Sequence, residues 1–516
     1  MLDLRLSWLS DLCNAQLVQQ GLRGLEKESL RIDPKGQLSL KPHPKLLGSA
    51  LTHPYLTTDY SEAMLEFVTP PYSTNWEAVQ FLCDLHTFVI RNMGDELLWS
   101  QSMPCNIPTE IEIPVANYGR SNEGRLKTVY RNGLGYRYGR KMQAISGIHF
   151  NYSLPLQFWE PYKESLQSSK SIQDFISTQY MGLIRNYRRH AWLLIYLFGA
   201  SPALCKSFLE GSNMILQELE PQTWYGPYST SLRMSRIGYR NQSQAALRIS
   251  ANSLEEYISG LGEAVSNSSP QFEKIGVHVD NQYRQLNTNT LQIENEYYGS
   301  IRPKPPADST KRPLQALAKS GVEYVEVRTL DLSMLDPVGV NQTQLRFLEA
   351  LLIYCLLLES PPITVEEQKE IDARDLLVAE EGRRKGLKLP RNGASVLLES
   401  WALEILSPIR IIAAILDSCD EGYVSAVDSQ IAAVKESDLT PSARILANLR
   451  ETGMSFIDFS LKCSESNSQY LSELALSSEK QSLLDELVQN SFSEQKILES
   501  ETKLSFGDYL QDFFRR

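Results

Sequence analysis

The stretch LEKESLRI, residues 25–32, decides how this chain is read. Its alternation is that of a β-strand, in which residues two apart point to the same side. Glu26 and Glu28 therefore share a face with Leu30 and Ile32, which read as buried. Adjacent carboxylates repel, and burying them is costly unless cations sit among them. A strand built this way predicts a site, and the question is which cation it holds.

Other segments repeat the pattern. TTDYSEAMLEFVTPP (57–71) puts Glu62, Met64, Glu66 and Val68 on one face, with Asp59 just upstream. SGIHFNYSL (146–154) puts His149 and Asn151 on one face and Ile148, Phe150 and Tyr152 on the other. VEYVEVRTLD (322–331) aligns Tyr324, Glu326 and Arg328, and YSTSLRMSRIGY (228–239) reads as a strand with Arg233 between Leu232 and Met234. Each segment alone has a plainer reading: an exposed Glu-x-Glu, a structural histidine, a cross-strand ion pair. Together they supply carboxylates and one imidazole from separate strands, a donor set suited to Mg²⁺ or Mn²⁺. Such ions relieve the repulsion and bridge the β- and γ-phosphates of a nucleotide.

The rest of the chain narrows the class. At 516 residues it is long enough for two or three domains, or one large domain with extensions. The net charge of -11 argues against a general nucleic-acid binder. Within this acidic chain RSNEGRLKTVYRNGLGYRYGRK (120–141) is a basic island. Its Gly and Asn content predicts a loop able to draw in and clamp anionic substrates. SIRPKPP (300–306) reads as an ordered turn or lid support. The seven cysteines form no CxxC pair, which argues against a disulfide framework or zinc ribbon and suits a reducing compartment. MLDLRLSWLSDLC at the start is a poor signal peptide. AWLLIYLFGASPALC and FLEALLIYCLLL are too short or too interrupted to span a bilayer and read as buried helices. The expectation is a cytoplasmic protein that binds neither nucleic acid nor membrane. Neither a P-loop nor a GxGxxG turn after a strand is present.

Periodicity gives the layout. Residues 1–20 read as one amphipathic helix, DPKGQ (33–37) as a hairpin turn, and 75–94, 170–200 and 253–266 as helices. Residues 285–298 and 321–332 read as strands, and from about Glu349 onward the pattern is helical. Long, irregular connections between strands favour an α+β fold with a mostly antiparallel sheet. The expected division is a catalytic region, 1–355, and a mainly helical C-terminal region, 356–516, packed on it.

GLRGLEKESLRI, GSALTHPYLTTDYSEAMLEFVTPP, RNMGDELLW, SMPC, YRNGLGYRYG, MQAISGIHFNYSLP, YLFGASPA, TSLRMSRIGY, LQIENEYYGSIRPK and GVEYVEVRTLDL closely resemble the bacterial type of glutamate–cysteine ligase. The resemblance runs from about residue 20 to about residue 355 and continues more weakly in SARILANLR (442–450). It implies a curved antiparallel sheet forming a funnel, similar to the glutamine synthetase catalytic domain, with metals at its base. It implies ATP-dependent joining of the γ-carboxyl of L-glutamate to the amine of L-cysteine, through a γ-glutamyl phosphate, with release of ADP and phosphate. This is the first step of glutathione synthesis. Carried over by position, Glu26, Glu28, Asp59, Glu66, His149 and Glu326 are the Mg²⁺ ligands, with Mn²⁺ a possible substitute. Glu26, His149 and Glu326 hold the ion on the ATP phosphates; Glu28, Glu66 and Asp59 hold the acceptor-side ions. Arg131 and Arg328 clamp the transferred phosphoryl group, and Arg233 meets a substrate carboxylate. Tyr239 and Tyr298 close on cysteine, while Tyr60, Tyr130, Leu134, Gln143 and Asn151 line the pocket. Tyr60 departs from the family pattern, where phenylalanine is expected, and adds a hydroxyl that needs a partner. The small-molecule partners are glutamate, cysteine and ATP, and a monomer is compatible with this reading.

Overall fold

The alternation around LEKESLRI produces β1 (Leu22–Ile32), an eleven-residue strand buried along nearly its whole length. This is seen in a computed structural model, which describes every residue except 1, 108, 210–215, 239–246, 307–311, 419 and 516. Six further strands join β1 in one sheet: β2 (Leu56–Thr58), β3 (Met64–Val68), β4 (Leu97–Leu98), β5 (Ile148–Ser153), β6 (Ile301–Lys304) and β7 (Tyr324–Leu330). The order is β6–β7–β5–β1–β3–β2, with β4 pairing β1, and every pairing is antiparallel. Register then decides which side chains meet. Glu26 stands opposite His149, Glu28 opposite Glu66, and Glu326 opposite Asn151.

Alternation sorts the two faces of the sheet. Leu25, Leu65, Phe67, Ile148, Phe150, Val325, Val327 and Ile301 point into the main core. There they meet the helices Ile172–Phe198, Gln342–Leu357 and Asn75–Asn92, which cover that face. The core continues into Leu398–Leu416 and Tyr423–Lys435, so the C-terminal helices share it with the sheet. The opposite face carries the acids. Helices Pro441–Thr452, Phe456–Glu473, Ser478–Glu501 and Phe506–Arg515 follow the apolar spacing expected after residue 349. A small hairpin, Lys388–Arg391 with Ala394–Leu397, interrupts that helical stretch. Among the described residues no helix is long and apolar enough to cross a membrane.

Several expectations need correction. Residues 1–20 form two helices, Leu2–Leu9 and Leu12–Gln19, because the Asp11 side chain accepts from the Cys13 N–H and starts a new cap. The basic island is a helix, Asn122–Tyr138, capped by Ser121. Its glycines serve close approach rather than turning. A Cβ on Gly124 would lie 2.3 Å from the Tyr118 carbonyl oxygen, and one on Gly133 would lie 2.1 Å from Gln292 Oε1. Residues 285–298 form turns and a 3₁₀ turn at Glu294–Glu296, not a strand. Glu296 is drawn inward by Arg137, 2.9 Å away; Asn287 donates to the nearby Gln292 carbonyl and accepts from Asn289 N–H, while the Asn289 side chain donates to the distant Val265 carbonyl. Leu232–Met234 is likewise a 3₁₀ turn, because the Ser231 side chain accepts from Met234 N–H. SIRPKPP contributes the edge strand β6, the one place in a sheet where an internal proline costs no ladder bond. Cys105 and Cys205, Cα atoms 5.3 Å apart and 100 residues apart in the chain, form a disulfide that spacing could not reveal. Cys13, Cys83, Cys355 and Cys463 are free thiols.

Candidate active site

The acids converge where β1, β5 and β7 lie side by side. His149 Nδ1 is 3.0 Å from Glu26 Oε2 and 3.7 Å from Glu326 Oε1, and its Nε2 is 4.0 Å from Glu28 Oε1. One ligand atom from each of Glu26, His149 and Glu326 falls within 4.8 Å of the others, a spacing that one cation can bridge. Asn151 donates to Glu26 Oε1 at 2.8 Å, and Gly147 N–H donates to Glu28 Oε2 at 2.7 Å, which fixes both carboxylates.

The charge balance differs across this face. Glu326 sits among Lys304 (3.4 Å), Arg328 (3.4 Å) and Arg302 (3.8 Å). Burial opposes its charge, but Lys304, then Arg328, His149 and Arg302, hold its pKa well below the usual carboxylate value. Glu26 is lowered as well: burial and Glu326 oppose its charge, and the bond from His149 with the charge of Lys304 prevails. On the other flank Glu66 is pushed well above the carboxylate range, by burial first and then by Asp59, Glu26 and Glu28. Glu28 is raised by burial and by Asp59. On that flank the nearby cations, Arg131 at Glu66 and His149, Arg233 and Arg328 at Glu28, do not outweigh burial and the neighbouring carboxylates, so added positive charge would be favourable there.

Of the other predicted residues, Arg131, Arg328 and Arg233 lie beside these acids. Arg131 Nε donates to the Asp59 carbonyl, its Nη2 lies 3.9 Å from Asp59 Oδ1, and its guanidinium stacks on Tyr118 with Cζ 4.7 Å from the ring centre. Arg328 flanks Glu326 along β7. Arg233 lies buried beneath Gly147, within 3.8 Å of Asp331 Oδ1, and donates to the Arg328 carbonyl at 3.0 Å. A Cβ at 147 would lie 2.1 Å from Arg233 Nη2, so any larger residue there would displace the guanidinium. Gln143 donates to the Tyr298 hydroxyl at 3.0 Å, joining those two side chains. Tyr130 and Leu134 share the Asn122–Tyr138 helix with Arg131. Tyr60 is fully buried, with its hydroxyl against Gly135 and without a hydrogen-bond partner among the described residues. Tyr239 lies outside the described residues.

Sequence reasoning missed Lys304 and Arg302 as neighbours of the cluster. Their two-residue spacing on SIRPKPP was a usable signal, but Pro303 and the following prolines argued for a turn. Asp331 was also missed; it receives bonds from Ala200 N–H, Ser201 and Ser231 and so orders the ground beneath Arg233.

Comparison with known proteins follows the same outline. A family model described as glutamate-cysteine ligase matches residues 6–378. A glutamate–cysteine ligase of Pseudomonas putida is 47% identical over 501 residues, 97% of this chain and 95% of that protein. One from Azotobacter vinelandii is 46% identical over 511 residues, 98% of this chain and 96% of its own length. The crystal structure of glutamate–cysteine ligase from Francisella tularensis in complex with AMP superposes with a TM-score of 0.91 at 35% identity, covering 96% of this chain and 98% of that one. A bifunctional glutathione synthetase from Pasteurella multocida shares the fold, with a TM-score of 0.76 at 23% identity over 93% of this chain and 58% of that one.

Proposed function

The chain belongs to the glutamate–cysteine ligase family, and we propose that the acid-bearing face of its sheet is where the reaction takes place. The enzyme joins the γ-carboxyl of L-glutamate to the amine of L-cysteine with ATP, the first step of glutathione synthesis. The observation that carries the site is the convergence of Glu26, His149 and Glu326 from three neighbouring strands.

That donor set fits a hard divalent ion, Mg²⁺ with Mn²⁺ as substitute, on the ATP phosphates. Glu28, Asp59 and Glu66 would hold acceptor-side ions, and the raised pKa of Glu66 is consistent with added positive charge being favourable there. When bound, such ions neutralise phosphate charge and orient the γ-phosphoryl group.

The chain's own residues do the remaining work by position. Arg131 and Arg328 flank the carboxylates on two sides and supply guanidinium donors to the transferred phosphoryl oxygens. The γ-carboxylate oxygen of glutamate attacks the γ-phosphorus, and ADP leaves. The cysteine amine then attacks the acyl carbon of the γ-glutamyl phosphate, loses a proton, and displaces phosphate. Arg233, whose charge opposes the upward push of burial and Asp59 on Glu28, meets a substrate carboxylate. The Gln143–Tyr298 pair, with Tyr60, Tyr130, Leu134 and Asn151, bounds the cysteine pocket. We further propose a funnel shape similar to glutamine synthetase, a division into residues 1–355 and 356–516, a monomeric state and a cytoplasmic location.

Incubation with glutamate carrying ¹⁸O in its γ-carboxyl tests the route. One label per turnover should appear in free phosphate, alongside ADP and γ-linked dipeptide. Label in AMP, with pyrophosphate released, would overturn the acyl-phosphate route.

A further inference from the structure

Lys304 ends the edge strand β6, and its ammonium lies 3.4 Å from Glu326 Oε1. The same carboxylate oxygen lies 3.7 Å from His149 Nδ1, so the ammonium borders the Glu26, His149 and Glu326 cluster, and its charge also acts on Glu26. Glu326 is also flanked by Arg328 at 3.4 Å and Arg302 at 3.8 Å. One carboxylate thus faces three cations. A divalent ion arriving at the cluster would add more positive charge beside them. The ammonium, a point charge on a flexible four-carbon stem, is the group best able to withdraw.

Room to withdraw exists. Beside Lys304 opens a cavity of ≈ 410 Å³, lined by Tyr257, Leu261, Leu317 and Tyr324 together with the charged residues Lys304, Arg302 and Glu294. Apolar and aromatic walls beside two cations suit a flat heteroaromatic base carrying phosphates. The cavity adjoins the cluster, so a nucleotide seated in it would bring its phosphates to the carboxylates past Lys304.

We propose that Lys304 is a positioning residue with two partners: it occupies the ion's place on Glu326 in the ion-free protein, and turns to the nucleotide's phosphate oxygens once the ion is bound. This rests on the ion site proposed above.

The two roles give effects of opposite sign. Mn²⁺ uptake by the nucleotide-free protein is followed by electron paramagnetic resonance, and ADP binding at saturating Mg²⁺ by calorimetry. Lys304→Met should tighten Mn²⁺ binding about tenfold or more, since a competing charge some 4 Å away is removed. The same variant should weaken ADP binding about tenfold, for loss of a charge-assisted phosphate contact. Lys304→Arg, which keeps the charge, should leave Mn²⁺ binding as in the unsubstituted protein and retain most ADP affinity. A lysine of merely structural importance would weaken both ligands together with thermal stability. Lys304→Gln provides a second neutral variant should the methionine side chain disturb folding. Unchanged or weaker Mn²⁺ binding in both neutral variants overturns the first role, and unchanged ADP binding overturns the second. Glu326→Gln, a ligand variant, should remove the Mn²⁺ bound at Glu26, His149 and Glu326 and so lower the number of ions taken up. If the unsubstituted protein takes up no Mn²⁺, the ion site itself falls and this role with it. If it does, and the lysine variants shift nothing, only the inference about Lys304 fails.

Discussion

Lys27 stands between Glu26 and Glu28 in the chain but on the opposite face of the sheet, buried against Phe67, whose ring centre is 5.6 Å from its ammonium. Its near partner is His86 Nε2 at 2.7 Å; His86 Nδ1 lies 2.8 Å from the Leu82 carbonyl, which leaves Nε2 to accept. Burial pushes Lys27 down to about 7 from the 10.5 of a free lysine. Between these values the unfolded chain holds a proton that the folded one has released, so stability rises with pH across that window. Below about 7 the full penalty applies. Lys27→Met should therefore melt about 2–4 °C higher at neutral pH. In urea titrations from pH 7 to pH 10 it should also lose most of the rise in stability that the unsubstituted protein shows. An equal slope in both proteins would mean that Lys27 keeps its proton on folding. The acids on the other face were legible from their own spacing, since alternation alone puts Glu26 with Glu28. Lys27 shows the same rule in reverse: parity assigns it to the core, yet nothing in the sequence names His86 as its partner.

At the scale of the element, the Asn122–Tyr138 helix is where local signals misled. Three glycines and two asparagines in seventeen residues read as a loop, because glycine lowers helix propensity by about 1 kcal/mol each. Tertiary packing overrides that cost. Gly135 is small because the Tyr60 hydroxyl would lie 2.4 Å from a Cβ there. The consequence is a coupling between Tyr60 and the helix that carries Tyr130, Arg131 and Leu134. Gly135→Ala should improve helix propensity yet destabilise the protein by roughly 1–3 kcal/mol through overpacking. It should also raise the KM for cysteine as the helix shifts. Tyr60→Phe removes the obstructing oxygen, so the double variant should recover most of both losses, a non-additive cycle expected of residues in contact. Additive effects in denaturant melts would show that the two side chains do not press on each other. The strands fared better: β3, β5 and β7 lie within the predicted stretches and β1 extends its stretch by three residues, because period-two alternation is strong where one face is buried.

Across the whole molecule, one buried carboxylate ties distant parts of the chain. Glu349, inaccessible to solvent, accepts from Arg23 Nε at 3.0 Å, Asn75 Nδ2 at 3.1 Å and the Tyr423 hydroxyl at 2.8 Å. The sheet's first strand, two core helices and the C-terminal helices thus meet at one charge. Removing a single member of such a network leaves the others buried and unpaired, at a cost of about 3–5 kcal/mol. Glu349→Ala should lower the unfolding free energy by that amount in urea titrations, while folded enzyme keeps its kcat, because none of these residues borders the acid face. A large fall in kcat without loss of stability would place Glu349 in the reaction instead.

The sequence by itself determined the strand faces, the acids on them, the α+β class and the family, because alternation and motif residues are written locally. Tertiary structure alone decided the register that sets Glu26 against His149 and Glu28 against Glu66, since each pairing joins strands separated by long stretches of other structure. It also decided that the basic island is a helix, that SIRPKPP is an edge strand, and that Lys304 reaches Glu326. In each case the deciding term is packing or charge supplied by a distant segment, which local propensity does not contain.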